Sequence, residues 1–302
     1  MNISFIVRVI VAAAAVTSSV AAYAAKEPIR LEPISKWEVN YADDSCRMAR
    51  KFGDTDQYGT VIFDRYGPGD SLNITLAGPV FKKIGSSEVL DIKFGPNEDV
   101  QNGPFFVGTI GETIPTLVLR GSYRIGPFTK AEQREIKNNK DNPDYQSPIV
   151  GPEREASVSD LTILRPLRQP VQLSLGSMKA PFSAMNKCVE NLLTFWGIDI
   201  ERHAKRSKSV QPTGNPGQWL NSNDYPAKMV EKSQPALVDF RLSIDETGKP
   251  SACHIQKSAG GKDFDDVSCK ALMKRAKFNP ALDEASKPLA SYYLGRIVFQ
   301  PS

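Results

Sequence analysis

The segment ALVDFRLSID at residues 236–245, followed by ETGK at 246–249 and PSACHIQKS at 250–258, decides how the end of the chain folds. Val238, Phe240, Leu242 and Ile244 alternate with Leu237, Asp239, Arg241 and Ser243, so the spacing predicts a strand with Val238, Phe240, Leu242 and Ile244 on its core face. Gly248 can take the positive φ that a hairpin turn requires. In the return strand Cys253, Ile255 and Lys257 are expected to share one face and His254 the other, where no carboxylate or nucleophile is spaced to orient the imidazole. A helix is predicted over DFDDVSCKALMKRA at 263–276, with Phe264, Val267, Cys269, Ala271, Leu272 and Ala276 inward. Asp263 is expected as its N-cap, Asp265 and Asp266 fill the first turn, and Lys274, Arg275 and Lys277 lie at the other end, which suits the helix dipole. KFNPA at 277–281 leads into a final strand within 289–300, a candidate sheet edge.

This order, Tyr225-Pro226, hairpin, Ser-Ala, helix, Phe-x-Pro-Ala and last strand, resembles the C-terminal domain of the TonB energy-transducer family over about residues 219–300, within a domain set at 219–302. The resemblance implies a periplasmic module whose final strand accepts an extended peptide, the TonB box of an outer-membrane receptor, as one more strand. Unpaired backbone groups supply affinity in such a complex and alternate side chains supply selectivity. The partner-binding residues implied are Tyr292, Tyr293, Leu294, Gly295, Arg296, Ile297 and Val298. The chain departs from the family's transducers in two ways. It lacks their long Pro-rich spacer, and its N-terminus does not match their uncleaved helix with a His-containing polar face.

The N-terminus carries one positive charge at Arg8, a short apolar run through Val20 and an A-x-A site at 22–24. That pattern is a secretory signal peptide over residues 1–24, the apolar run being shorter than the roughly 20 residues of a spanning helix. An uncleaved inner-membrane anchor is the alternative. Export places the four cysteines in an oxidising compartment, so two disulfides are expected. Separation into domains favours Cys46 with Cys188 and Cys253 with Cys269. No C-x-x-C spacing occurs and the two histidines stand apart, so neither a metal nor another cofactor is expected.

Residues 25–199 read as a mainly antiparallel β domain. Short β-rich segments at 61–66, 72–76, 89–94, 116–120, 159–164 and 171–175 are separated by Gly, Pro and Asn/Asp clusters at 67–70, 95–97 and 103–104, a spacing that suits a sandwich or small barrel. The polar stretch 130–155 reads as an exposed insertion. A helix over 181–196 closes the domain, with Phe182, Met185, Val189, Leu192, Leu193 and Trp196 at helical spacing and Gly197 as its stop. Residues 200–218 supply turn formers and charge without apolar periodicity, and read as a linker.

The fold class is therefore α+β, a β domain closed by a helix followed by a TonB-like hairpin, helix and strand. A net charge of +4 over 302 residues gives no footprint of a nucleic-acid binder. No G-x-S-x-G, H-E-x-x-H, P-loop or aspartic-protease motif appears, and Asp43 and Asp44, adjacent on an extended segment, point to opposite faces. The expectation is a non-enzymatic binding or adaptor protein in the periplasm of a Gram-negative bacterium, engaging a peptide or protein of the envelope, for which the resemblance implies an outer-membrane receptor. A membrane-anchored transducer for receptor-dependent transmembrane transport, sited at the inner membrane, is the alternative, and a hydrolase the second.

Overall fold

Alternation of apolar and polar side chains over short segments builds ten strands in the front part of the chain. They are β1 (Ile29–Leu31), β2 (Glu38–Tyr41), β3 (Cys46–Gly53), β4 (Tyr58–Arg65), β5 (Asn73–Ala77), β6 (Val89–Phe94), β7 (Gln101–Ile110), β8 (Ile114–Leu119), β9 (Asp160–Ile163) and β10 (Val171–Ser174). The computed structural model describes residues 26–121, 123–139, 145 and 147–300. The expected signal peptide lies outside these residues. Among them, no helix is long and apolar enough to cross a membrane.

The strands form one sheet in the order β1-β10-β9-β6-β7-β8-β5-β4-β3-β2, antiparallel except between β1 and β10. The sheet curls until its ends meet. Just after β1 the chain crosses to β3, where Gly53 N–H donates to Glu32 O at 2.8 Å and Ile34 N–H to Lys51 O at 2.9 Å. The enclosed core runs from Leu31 to Leu192 and includes Phe52, Phe63, Phe81, Phe94 and Phe182. Helix α3 (Lys179–Phe195) packs on β2 and β3 through Phe182, Met185, Cys188 and Leu192, and ends where Gly197 takes a φ of 73°.

All six segments read as strands contain strands, and β1, β2, β3 and β7 are additional. Gly103-Pro104, expected as punctuation between strands, lies inside β7. That strand changes partner at this point, pairing with β6 through residues 101–104 and with β8 through 105–110. Gly103 leaves room there for the Tyr123 hydroxyl, which a Cβ would crowd. In the polar stretch 130–155, α1 (Lys130–Asn138) has no buried residue and opens on a capping box between Thr129 and Glu132. Helix α2 (Pro152–Ser157) differs, because Glu155 is buried and accepts from Arg65 Nη2 at 2.7 Å.

Residues 200–218 are structured and packed against the C-terminal module. They contain α4 (Ile200–Ala204), with Asp199 as N-cap, and β11 (Gln211–Pro212), which pairs with β14 (Phe278–Asn279). After α5 (Ala227–Glu231), strands β12 (Ala236–Ile244), β13 (Pro250–Ala259) and β17 (Ser291–Phe299) form a three-stranded antiparallel sheet in the order β13-β12-β17. Helix α6 (Lys262–Arg275) covers one face, and a small hairpin of β15 (Ala281–Leu282) and β16 (Pro288–Leu289) precedes β17. Helix α6 starts one residue earlier than the sequence predicts. Its N-cap is Gly261, which leaves Asp263 in the first turn, where its charge still faces the positive end of the helix.

Disulfides join Cys46 to Cys188 and Cys253 to Cys269, the first tying β3 to α3 and the second tying β13 to α6. The return strand departs from simple alternation. A bulge sets Asp239 opposite Lys257 and Phe240 opposite Ile255, leaving Gln256 as the extra residue. Lys257 is thereby turned away from the face of Ile255 and onto that of His254.

Candidate functional site

The alternation in β12 marks Asp239 and Arg241 as an outward, polar set, yet both are 4% exposed. The front part of the chain covers that second face of the sheet. Arg241 donates to Asp44 Oδ1 from Nε at 3.0 Å and from Nη2 at 2.7 Å, and its guanidinium lies 4.4 Å from the centre of the Trp196 ring. Trp196 sits at the end of α3, anchored by Nε1–H donating to Asp43 O at 3.0 Å. Lys257 Nζ reaches Thr75 Oγ1 at 3.1 Å and Asp64 Oδ2 at 3.5 Å, while Arg47 holds the same Asp64 from β3 at 2.7 and 3.1 Å. Burial pulls the Lys257 ammonium below its usual range, with Asp64 opposing the shift. The bulged Gln256 donates to Asp44 O and Tyr66 O, at 2.8 and 3.0 Å.

Strand β17 carries the seven residues named from the resemblance, and the structure gives them three different surroundings. Tyr292, Leu294 and Arg296 face the front part: Tyr292 lies edge-on to Trp196, Leu294 packs against Gly67, and Arg296 pairs with Asp239 and donates to Arg120 O and Asn73 Oδ1. Tyr293, Gly295 and Ile297 face the helix side, where Tyr293 meets Trp219 and Phe278, Gly295 leaves room for the Phe240 ring and Ile297 joins the core. Val298 is 37% exposed. With both faces engaged, the open part of β17 is its edge. Its side away from β12 meets no strand among the described residues.

Beside that edge runs a groove of about 360 Å³, bounded by residues 296–300 on one side and by Pro216, Leu220, Asn221 and Tyr225 on the other. The far wall is built rigidly. Arg275, in the last turn of α6, donates to both Asp224 oxygens and to Trp219 O at 2.6–2.7 Å, which holds the Asp224 carboxyl below its usual range. Asn221 and Asp224 form a reciprocal cap over the same turn, and Tyr225 packs edge-on to Phe264 and Phe299. The arrangement offers a row of backbone donors and acceptors next to a shaped, partly apolar trough, which is the physical requirement for adding a strand.

His203 lies at the root of β17, 5% exposed, stacked on Tyr292 and 2.9 Å from Ser291 Oγ through Nε2. Arg206 Nη1 lies 3.3 Å from its Nδ1, so the neutral imidazole accepts at Nδ1 and donates from Nε2 to the serine oxygen. That polarity is the reverse of what activates a serine. Burial, aided by Arg206, lowers the His203 pKa to about 4. Because the folded value lies below the unfolded one, the unfolded chain binds more protons between the two. Stability is therefore full above about pH 6.5 and is expected to fall by roughly 3 kcal/mol as pH drops toward 4. Chemical denaturation of wild type and His203→Gln across this range checks it: the variant should show a flatter dependence, and an unchanged slope would remove His203 as the cause.

The edge of β17 was legible from the sequence. The docking residues Asp44, Asp64, Arg241, Gln256 and Lys257 were not, since charged residues alternating on a strand look the same whether solvent or another part of the chain lies opposite. Residues 221–301 match the family model described as Gram-negative bacterial TonB protein C-terminal. The match covers the three-stranded sheet and α6 and leaves the curled sheet outside it. No curated protein and no solved structure matches the chain.

Proposed function

We propose that this chain is a periplasmic binding or adaptor protein, in which the TonB-type C-terminal module takes up an extended segment of an envelope protein along β17 and the curled sheet serves as its mount. The observation that carries the reading is the open edge of β17 beside the groove under Pro216, Leu220 and Tyr225. Backbone pairing supplies most of the affinity in such a complex, and the trough selects side chains at alternate positions of the incoming strand. The adaptor reading is favoured over a tethered transducer by the front part of the chain. It grips the second face of the sheet through Arg241, Gln256, Lys257 and Arg296, where a transducer would carry a long spacer.

Site-specific photo-crosslinking in living cells tests this. A benzophenone side chain at Val298, on the edge, is expected to give an adduct that maps to an extended segment of an envelope protein. The same label at Val230, exposed on α5, should not give that adduct. Identical adducts at both positions, or none at Val298, would remove the edge as the binding surface. Mass spectrometry of the mature N-terminus separates the two modes of residence: a start at Ala25 supports a released protein, and an intact Met1 supports an anchored one.

A further inference from the structure

A second cleft, of about 470 Å³, opens between the front part and the covered face of the C-terminal sheet. Its walls include Tyr66, Asn73 and Arg120 from the curled sheet, and Asp239, Gln256 and Arg296 from the module. The size falls within the range of small-molecule sites. Two of its wall residues carry buried donors without a hydrogen-bond partner among the described residues, namely Tyr66 Oη and Arg120 Nε. Tyr66 is 8% exposed. Unsatisfied buried donors are uncommon in native proteins, and a pair on one wall calls for an acceptor.

The charges identify the acceptor. Arg296 is neutralised by Asp239. Arg120 has no carboxylate within ion-pair distance among the described residues: its Nη atoms donate to the Gln300 amide oxygen, at 2.9 and 3.2 Å with that amide turned to face it, and its guanidinium lies 4.8 Å from the centre of the Phe106 ring. The lining thus holds one uncompensated positive charge and two free donors. A monoanion matches that charge and supplies acceptors for donors of this kind, whereas a second negative charge would meet Asp239. Burial holds the Tyr66 phenol far above its usual range, so its proton stays in place to be donated.

We propose that this cleft is a binding site for a small carboxylate, held by Arg120 and the Tyr66 hydroxyl. The site shares only Arg296 with the groove beside β17 and does not depend on strand addition there. The carboxylate has two conceivable sources, a free small molecule or an acidic side chain of a bound polypeptide, and the probes distinguish them. Titrations of the full chain, followed by calorimetry and ligand-observed NMR, would use N-acetylalanine, its neutral amide, and the blocked tripeptide acetyl-Ala-Glu-Ala-amide. Tyr66→Phe removes one donor and keeps the ring, and Arg120→Gln removes the charge. Melting curves of both variants confirm that they fold.

N-acetylalanine is expected to bind and its amide to fail, with affinity reduced about tenfold or more in each variant. Binding of the tripeptide alone, with the same losses, would assign the carboxylate to a polypeptide source. Equal binding of acid and amide, unchanged affinity in folded variants, or no binding of either carboxylate at millimolar concentration would each overturn the proposal.

Discussion

Replacing Cys46 and Cys188 with alanine is expected to lower the stability of the protein by about 5 kcal/mol. The bridge spans 142 positions in the sequence, so opening it releases far more chain entropy than opening Cys253–Cys269, which spans 16 and is worth about 3 kcal/mol. Packing adds to the effect. Cys46 and Cys188 are 0% and 1% exposed, and they hold β3 against α3, the helix that carries Trp196 to Arg241 and Tyr292. Urea unfolding followed by tryptophan fluorescence compares the two double variants directly. A larger loss for the Cys253/Cys269 variant would overturn the ordering by loop length.

Asp64→Ala is expected to cost roughly 3–5 kcal/mol, because it strands a buried cation rather than merely deleting a contact. Asp64 is wholly buried and faces both Arg47 and Lys257. Arg47 is half exposed and can turn to water, whereas Lys257, with 16% of its side chain exposed, keeps one hydrogen bond, to Thr75, and the more distant charge of Asp239, which Arg296 already engages. The double variant Asp64→Ala/Lys257→Met should recover much of the loss, since a buried pair replaced by apolar groups is often close to neutral. Equal stability of the single and double variants would show that the Lys257 charge is not the source of the penalty.

The C-terminal module was readable because its signals are local. Val238, Phe240, Leu242 and Ile244 declare one face, Gly248 the turn, and the stripe through Phe264, Ala271 and Leu272 the helix that covers it. What stayed hidden depends on partners distant in sequence. The bulge at Gln256 moves Lys257 across the sheet without any turn residue to announce it. Strand β3, Cys-Arg-Met-Ala-Arg-Lys-Phe-Gly, has three cations among its eight residues, and its core positions Met48 and Phe52 became evident only once the sheet curled around them. β7 is missing from the strands read from the sequence because its Gly-Pro pair reads as punctuation, whereas it marks a change of partner. Of the site itself, the edge strand could be placed from its position after α6, but the wall opposite it could not. That wall comes from residues 216–225, fixed by the long-range contact of Arg275 with Asp224.

The order of the disulfides along the chain bears on how the protein matures. Cys46 and Cys188 are consecutive cysteines, as are Cys253 and Cys269, so each sulfur bonds to the neighbour that precedes or follows it. If the chain is exported with its N-terminus leading, as the proposed periplasmic role requires, the curled sheet and α3 can close, and their bridge can form, before Cys253 has emerged. At that moment no competing thiol exists. The second pair then meets only its own partner, and β17, the last strand to arrive, completes the small sheet. An oxidant alone should therefore suffice for correct pairing, with no need for a disulfide-shuffling catalyst.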